Sequence, residues 1–159
     1  MIVVSNTSPV NYLVLLKKDY VFPAMFGAVF APPAVVAELS SKGAPEAVRA
    51  WIGSPPSWLH VQSPRDVDRS LDLDTGEREA IALAQELNAD RILLDEAKAR
   101  RAAISRGLKV AGTLAVLFEA SERGLLDLGQ TINELGATNF YLDEKLVQAI
   151  MERISDPRR

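Results

Sequence analysis

The chain has 159 residues, 48% apolar and 25% charged, with a formal net charge of -3 and no cysteine. That composition excludes a wholly disordered chain, a disulfide scaffold or thiolate zinc site, and a strongly basic protein that coats nucleic acid. A chain of this length buries roughly 68–70% of its unfolded surface and needs no staples to hold a core. The mild acidity still permits an enzyme with a local basic strip beside clustered carboxylates.

In chain order, Ile2 to Ser5 predicts a short buried strand. Ser8-Pro9 offers a cap with proline at the first helical position, opening a helix to Lys17. The longest uncharged run, residues 20–37, is broken by Pro23, Gly27, Pro32 and Pro33. It reads as helix, strand and helix rather than as a bilayer span. Within it Ala28 to Ala31 is the strand, and Pro32-Pro33 starts a helix through Ser40. Pro45 starts another through Trp51, Gly53 to Pro56 is a breaker, and Trp58 to Gln62 is an outer strand.

Asp74-Thr75-Gly76-Glu77 has capping-box spacing and opens a helix to Leu87. Arg91 to Leu94 is a buried strand, Ala97 to Arg106 a basic helix and Leu108 to Ala111 a short strand. Helices over Thr113–Arg123, Leu128–Leu135 and Leu142–Ile154 follow. We expect one domain over residues 1–155 and a frayed tail over 156–159. Short apolar strands alternating with helices predict an α/β fold with a parallel sheet. The site is then expected just beyond the strands, at Asn6, Pro32, Asp95 and Gly112-Thr113. The N-terminus has no basic export signal, and the expected location is the cytoplasm, with no membrane contact.

Several chemistries lack their residues. There is no dinucleotide or P-loop glycine pattern and no serine nucleophile elbow. His60 is the one histidine, and it falls in the outer strand, so neither a triad nor a zinc site is supported. Carboxylates remain. Oxygen ligands suit Mg²⁺ or Mn²⁺, ions that support in-line hydrolysis of a phosphodiester. The candidates are Glu38, Glu77, Asp95 and Glu96, with Asn6 as a neutral oxygen donor.

Each candidate has a plainer alternative. Asp95 also suits a helix cap, Glu77 the partner of Asp74 in a capping box, Glu38 a solvated helix face and Asn6 a turn amide. Lys98, Arg100, Arg101, Arg106 and Lys109 form the densest basic segment. It is either a solvated helix face or a set of phosphate contacts.

Taken in order, four segments resemble the PIN-domain nucleases. Ile2 to Pro9 looks like that family's opening strand, Pro32 to Leu39 like its second acidic position, Gly76 to Ala84 like its third and Leu93 to Glu96 like its fourth. Gly112 to Leu117 is similar to a segment of one PIN-like branch. The resemblance implies a three-layer α/β/α fold with a short central parallel sheet. It also implies a Mg²⁺- or Mn²⁺-dependent ribonuclease of the VapC toxin type, acting on RNA, neutralised by a cognate antitoxin and often homodimeric.

By that resemblance Asn6, Glu38, Glu77 and Asp95 are the catalytic and metal-holding set. Thr7, Ser8, Glu96 and Thr113 support them, and Lys98, Arg100 and Arg101 meet the nucleic acid. The departure is Asn6, where the family pattern implies aspartate. An amide keeps the oxygen but lacks the charge. Asn6 therefore leaves open a non-catalytic PIN-like module that binds an antitoxin or RNA. A more distant alternative is a phosphatase or receiver-like domain with Asp95 as acceptor.

Overall fold

The computed structural model describes residues 1–155, and the expected tail at 156–159 lies outside them. The chain forms two compact units, Met1–Thr113 and the residues from Leu114 on.

The first unit is built on a sheet of β1 (Ile2–Ser5), β2 (Ala28–Ala31), β3 (Leu59–Val61), β4 (Arg91–Leu93) and β5 (Val110–Ala111). All pairings are parallel and the strand order is β3-β2-β1-β4-β5. Helices flank this sheet as α1 (Thr7–Leu15), α2 (Val21–Phe26), α3 (Pro33–Leu39), α4 (Glu46–Gly53), α5 (Thr75–Glu86) and α6 (Ala97–Ser105). The architecture is the three-layer α/β/α arrangement with a central parallel sheet.

The central strands are apolar on both sides because both faces are covered. Val3 and Val4, pointing to opposite faces, are each fully buried. On one face Val4, Ile92 and Leu94 pack with Ala80, Ile81, Leu83 and Ala84 of α5 and Ala99 and Ala103 of α6. Alanines on both helices let them approach the sheet closely. In the same unit Trp58 lies between Phe22 and Trp51, at ring-centre distances of 5.5 and 5.9 Å. The Trp51 Nε1–H donates to Asp19 at 3.0 Å, which satisfies its polar end. His60 is exposed and stacks on Phe30 at 5.1 Å, as expected of an outer-strand residue.

Two features of the strand order matter for function. The chain winds outward from β1 through β2 to β3, then returns and winds the other way through β4 to β5. The reversal lies between β1 and β4, and sheets of this kind bind ligands beyond the carboxyl ends of the strands at such a reversal. The ladder is in register, with Ser5 opposite Leu93, and the Asn6 N–H donates to the Leu93 carbonyl at 3.0 Å. Asn6 and Asp95 therefore leave the sheet at that reversal.

Some boundaries differ from expectation. Helix α1 opens at Thr7 with Asn6 at the cap position, and the Asn6 side chain makes no capping bond. Ser8 does not cap because its hydroxyl turns away to Asp95, at 2.6 Å. Residue 108 belongs to the turn that ends α6, since the Leu108 N–H donates to Ala103. This shortens β5. Glu96, not Asp95, takes the cap position of α6, so Asp95 is released from that role.

The second unit carries α7 (Thr113–Glu122, opening on the last residue of the first unit), α8 (Leu128–Gly136) and α9 (Glu144–Ser155). Asp127 caps α8 by accepting the Gln130 N–H at 2.8 Å. The Arg153 guanidinium lies over the Phe118 ring at 4.9 Å. Among the described residues no helix is long and apolar enough to cross a membrane.

The start of α5 is set by a complete capping box. Asp74 accepts the Glu77 N–H at 2.8 Å, and the Glu77 carboxyl accepts the Asp74 N–H at 3.2 Å. Replacing Asp74 by alanine should cost about 1 kcal/mol of metal-free stability, or about 2–4 °C in Tm. Asp74→Asn should cost clearly less, because asparagine caps equally well. Thermal melts of the two variants in chelator check the difference.

Candidate active site

The four candidate ligands sit beyond the carboxyl ends of the strands or on helices that reach that edge. Asn6 follows β1, Glu38 stands on the helix after β2, Glu77 opens α5, and Asp95 follows β4. All four belong to the first unit. They fall into two groups, each centred on a glycine.

The first group surrounds Gly76. The space where a side chain would begin at Gly76 is taken by Glu38 Oε1, with Asn6 Oδ1 3.3 Å and Asp74 Oδ1 3.5 Å from that point. Asn6 is only 8% exposed, and its Oδ1 has no hydrogen-bond partner. The Thr7 hydroxyl is likewise buried without a partner. It lies close enough to Glu38 to ease that carboxyl's charge slightly, but not in bonding geometry. Glu38 is exposed as a residue, yet its carboxyl end folds inward over Gly76.

Both glutamates of this group hold their protons more tightly than an ordinary carboxyl. Burial raises Glu38 and the neighbouring Asp74 charge adds to it. Burial also raises Glu77, partly offset by its bond from the Asp74 backbone, with further repulsion from Asp74 and Glu96.

The second group surrounds Asp95 and Gly112. The Asp95 carboxylate accepts three short bonds: from the Thr113 N–H at 2.7 Å, the Thr113 hydroxyl at 2.6 Å and the Ser8 hydroxyl at 2.6 Å. Gly112 has no room for a Cβ, since Arg100 Nη1 and Asp95 Oδ1 lie 2.7 and 2.9 Å from its position. Asp95 is therefore rigid, and Arg100 stands beside it. Burial raises the Tyr12 phenol, and the Asp95 charge raises it further. Of the other basic candidates, Lys98 is engaged with exposed Asp72 and Arg101 is exposed.

The structure thus joins Asn6 with Glu38, and Asp95 with Ser8 and Thr113. Among the described residues no three His, Cys, Asp or Glu side chains are arranged to hold a metal ion. The oxygens gathered around the Gly76 position are those of two carboxylates and an amide. Sequence reasoning missed Asp74, read there only as a cap, and Gly76, while Gly112 lies where the site was expected. Asp74 lies one turn from Glu77, and a glycine inside a first helical turn was the available signal. Glu79 of α5 accepts the Ala34 N–H at 3.2 Å. It places a negative charge at the start of α3 and so braces the helix that carries Glu38.

A hard oxygen-preferring ion fits this donor set better than a soft one. Asn6 Oδ1 is a buried acceptor facing no donor, an environment that suits a cation. The raised glutamates give a signed pH dependence. Their contribution to folding is fully present below the ordinary value of 4.5, where both states are protonated. It is lost as pH rises through the elevated folded values. Metal-free Tm should therefore fall more steeply above pH 4.5 in the wild type than in Glu77→Gln, which keeps the capping box. Parallel slopes for the two proteins would contradict this.

The sequence matches the DUF3368 family of PIN domains over residues 2–156, across both units. No curated protein shows significant sequence similarity to it. Among solved structures it is similar to a PilT N-terminus domain protein of the hyperthermophilic archaeon Sulfolobus solfataricus P2. The TM-score is 0.54 and the identity 18%, over 76% of this chain and 93% of that one. At that identity the likeness concerns the fold. The family match covers almost the entire chain, and the chain belongs to the PIN-domain family.

Proposed function

We propose that the protein is a ribonuclease of the PIN type, dependent on Mg²⁺ or Mn²⁺, and the toxin of a toxin–antitoxin pair. PIN domains have a nuclease-type fold. The observation that carries the reading is the buried, partnerless Asn6 Oδ1 facing Glu38 across Gly76, at the reversal of strand order where α/β sheets bind ligands. The toxin role, the cognate antitoxin, a homodimer and a cytoplasmic setting rest on the likeness of the four acidic segments to VapC-type proteins.

Asn6, Glu38, Glu77 and Asp95 would hold the ion, with Thr7, Ser8, Glu96 and Thr113 in support. When bound, a divalent ion there offsets phosphodiester charge and eases deprotonation of water for in-line attack. Asp95, fixed by three donors, keeps its charge in one place without reorganisation. Glu77 is fixed by the capping box at its helix start. Arg100, beside Asp95, is the cation best placed to meet a phosphate, and Arg101 extends that strip. Lys98 must first leave Asp72, an exposed pair of small worth.

A second reading is a PIN-like module that binds an antitoxin or RNA without cutting it. Asn6 favours it, because the amide removes one negative charge from the site. Cleavage of a labelled RNA in Mn²⁺ or chelator separates the two. The nuclease reading expects Mn²⁺-dependent cleavage that Asp95→Asn abolishes and Asn6→Asp enhances. Full cleavage by Asp95→Asn would remove Asp95 from the mechanism. No cleavage by wild type or Asn6→Asp would leave the binding module.

A further inference from the structure

The Asn6 amide has a consequence for its neighbours. Two negative charges balance a divalent cation, and an amide supplies none. Glu38 is the one carboxylate of the original four whose oxygen meets Asn6 Oδ1 over Gly76. Asp95, the other strand-end acid, has its oxygens committed to Ser8 and Thr113. Glu77 has one oxygen turned back to the Asp74 N–H. The remaining carboxylate at Gly76 is that of Asp74, whose Oδ1 accepts the Glu77 N–H at 2.8 Å and lies 3.5 Å from the point that Asn6 Oδ1 approaches to 3.3 Å; a carboxylate oxygen has a second lone pair to offer a cation.

We propose that Asp74 is a metal-holding residue, forming with Asn6 and Glu38 an oxygen cradle over Gly76 that takes one hard divalent cation. This rests on the nuclease reading of the same site and adds to it a ligand that the four acidic segments do not contain. Asp74 supplies the second negative charge that position 6 lacks. The cradle is not merely a cluster of acids. Asn6 is buried, its Oδ1 has no partner, and it is aimed at the shared space. Gly76 is part of the device, since a methyl group there would occupy the place where the Glu38 carboxyl lies.

The test is Mn²⁺ binding, read by electron paramagnetic resonance or calorimetry in the absence of RNA. Wild type should bind Mn²⁺. Asp74→Asn keeps the helix cap, so its metal-free Tm should stay near wild type while its Mn²⁺ affinity falls about tenfold or more through the lost charge. Gly76→Ala should also lose affinity without losing stability, because alanine favours the helix and the flexible Glu38 can swing aside. Glu86→Gln, on the exposed end of α5, should bind like wild type.

Wild-type affinity in Asp74→Asn, with binding lost in Glu38→Gln, would overturn the role of Asp74 and leave the nuclease reading standing. Binding that appears only in Asn6→Asp would overturn the cradle in this chain while keeping the family's site. Mn²⁺ binding by neither wild type nor Asn6→Asp would overturn both.

Discussion

A buried amide oxygen without a donor is costly, by roughly 1–3 kcal/mol, and Asn6 has no easy way to avoid it. Its backbone is tied to β4 through the Leu93 carbonyl, and the helix begins at the next residue. The side chain is thus held at the point where the sheet reverses its winding. What faces it is Glu38, another acceptor. A cation between or beside two such acceptors would satisfy both. The functional account depends on that pairing.

The rest of the site divides the work between rigid and adjustable parts. Asp95 is held by the hydroxyls of Ser8 and Thr113 and by a backbone N–H, so its charge has one position. Glu38 lies at the end of a flexible side chain on a short helix. That helix is braced from α5 by Glu79. A glycine stands at each part, and in both cases its missing Cβ permits the approach of charged atoms. These glycines act through space rather than through unusual backbone angles.

Much of the fold could be read from the sequence because its signals are local. The capping box at Asp74 and Glu77 and the apolar runs of β1 and β4 give the same elements in both. The misplacement of α1 is instructive. Ser8-Pro9 has the right local chemistry for a helix start, but the Ser8 hydroxyl is drawn to Asp95, 87 residues away. No local rule contains that contact. The same limit applies to the site. The edge where Asn6, Glu38, Glu77 and Asp95 meet follows from strand order, which the βα alternation implies. Which oxygens share a space does not. Asp74 looks complete as a cap, and its second role is visible only when Glu38 and Asn6 fold over the neighbouring glycine. The bonds that fix Asp95 also come from residues distant in the chain.

The most direct measurement is anomalous diffraction from crystals of the wild-type protein grown with Mn²⁺. The account predicts a peak within ligand distance, about 2.0–2.2 Å, of Asn6 Oδ1, with Glu38 beside it. A peak elsewhere in the first unit, with Asn6 Oδ1 still unpartnered, would contradict it.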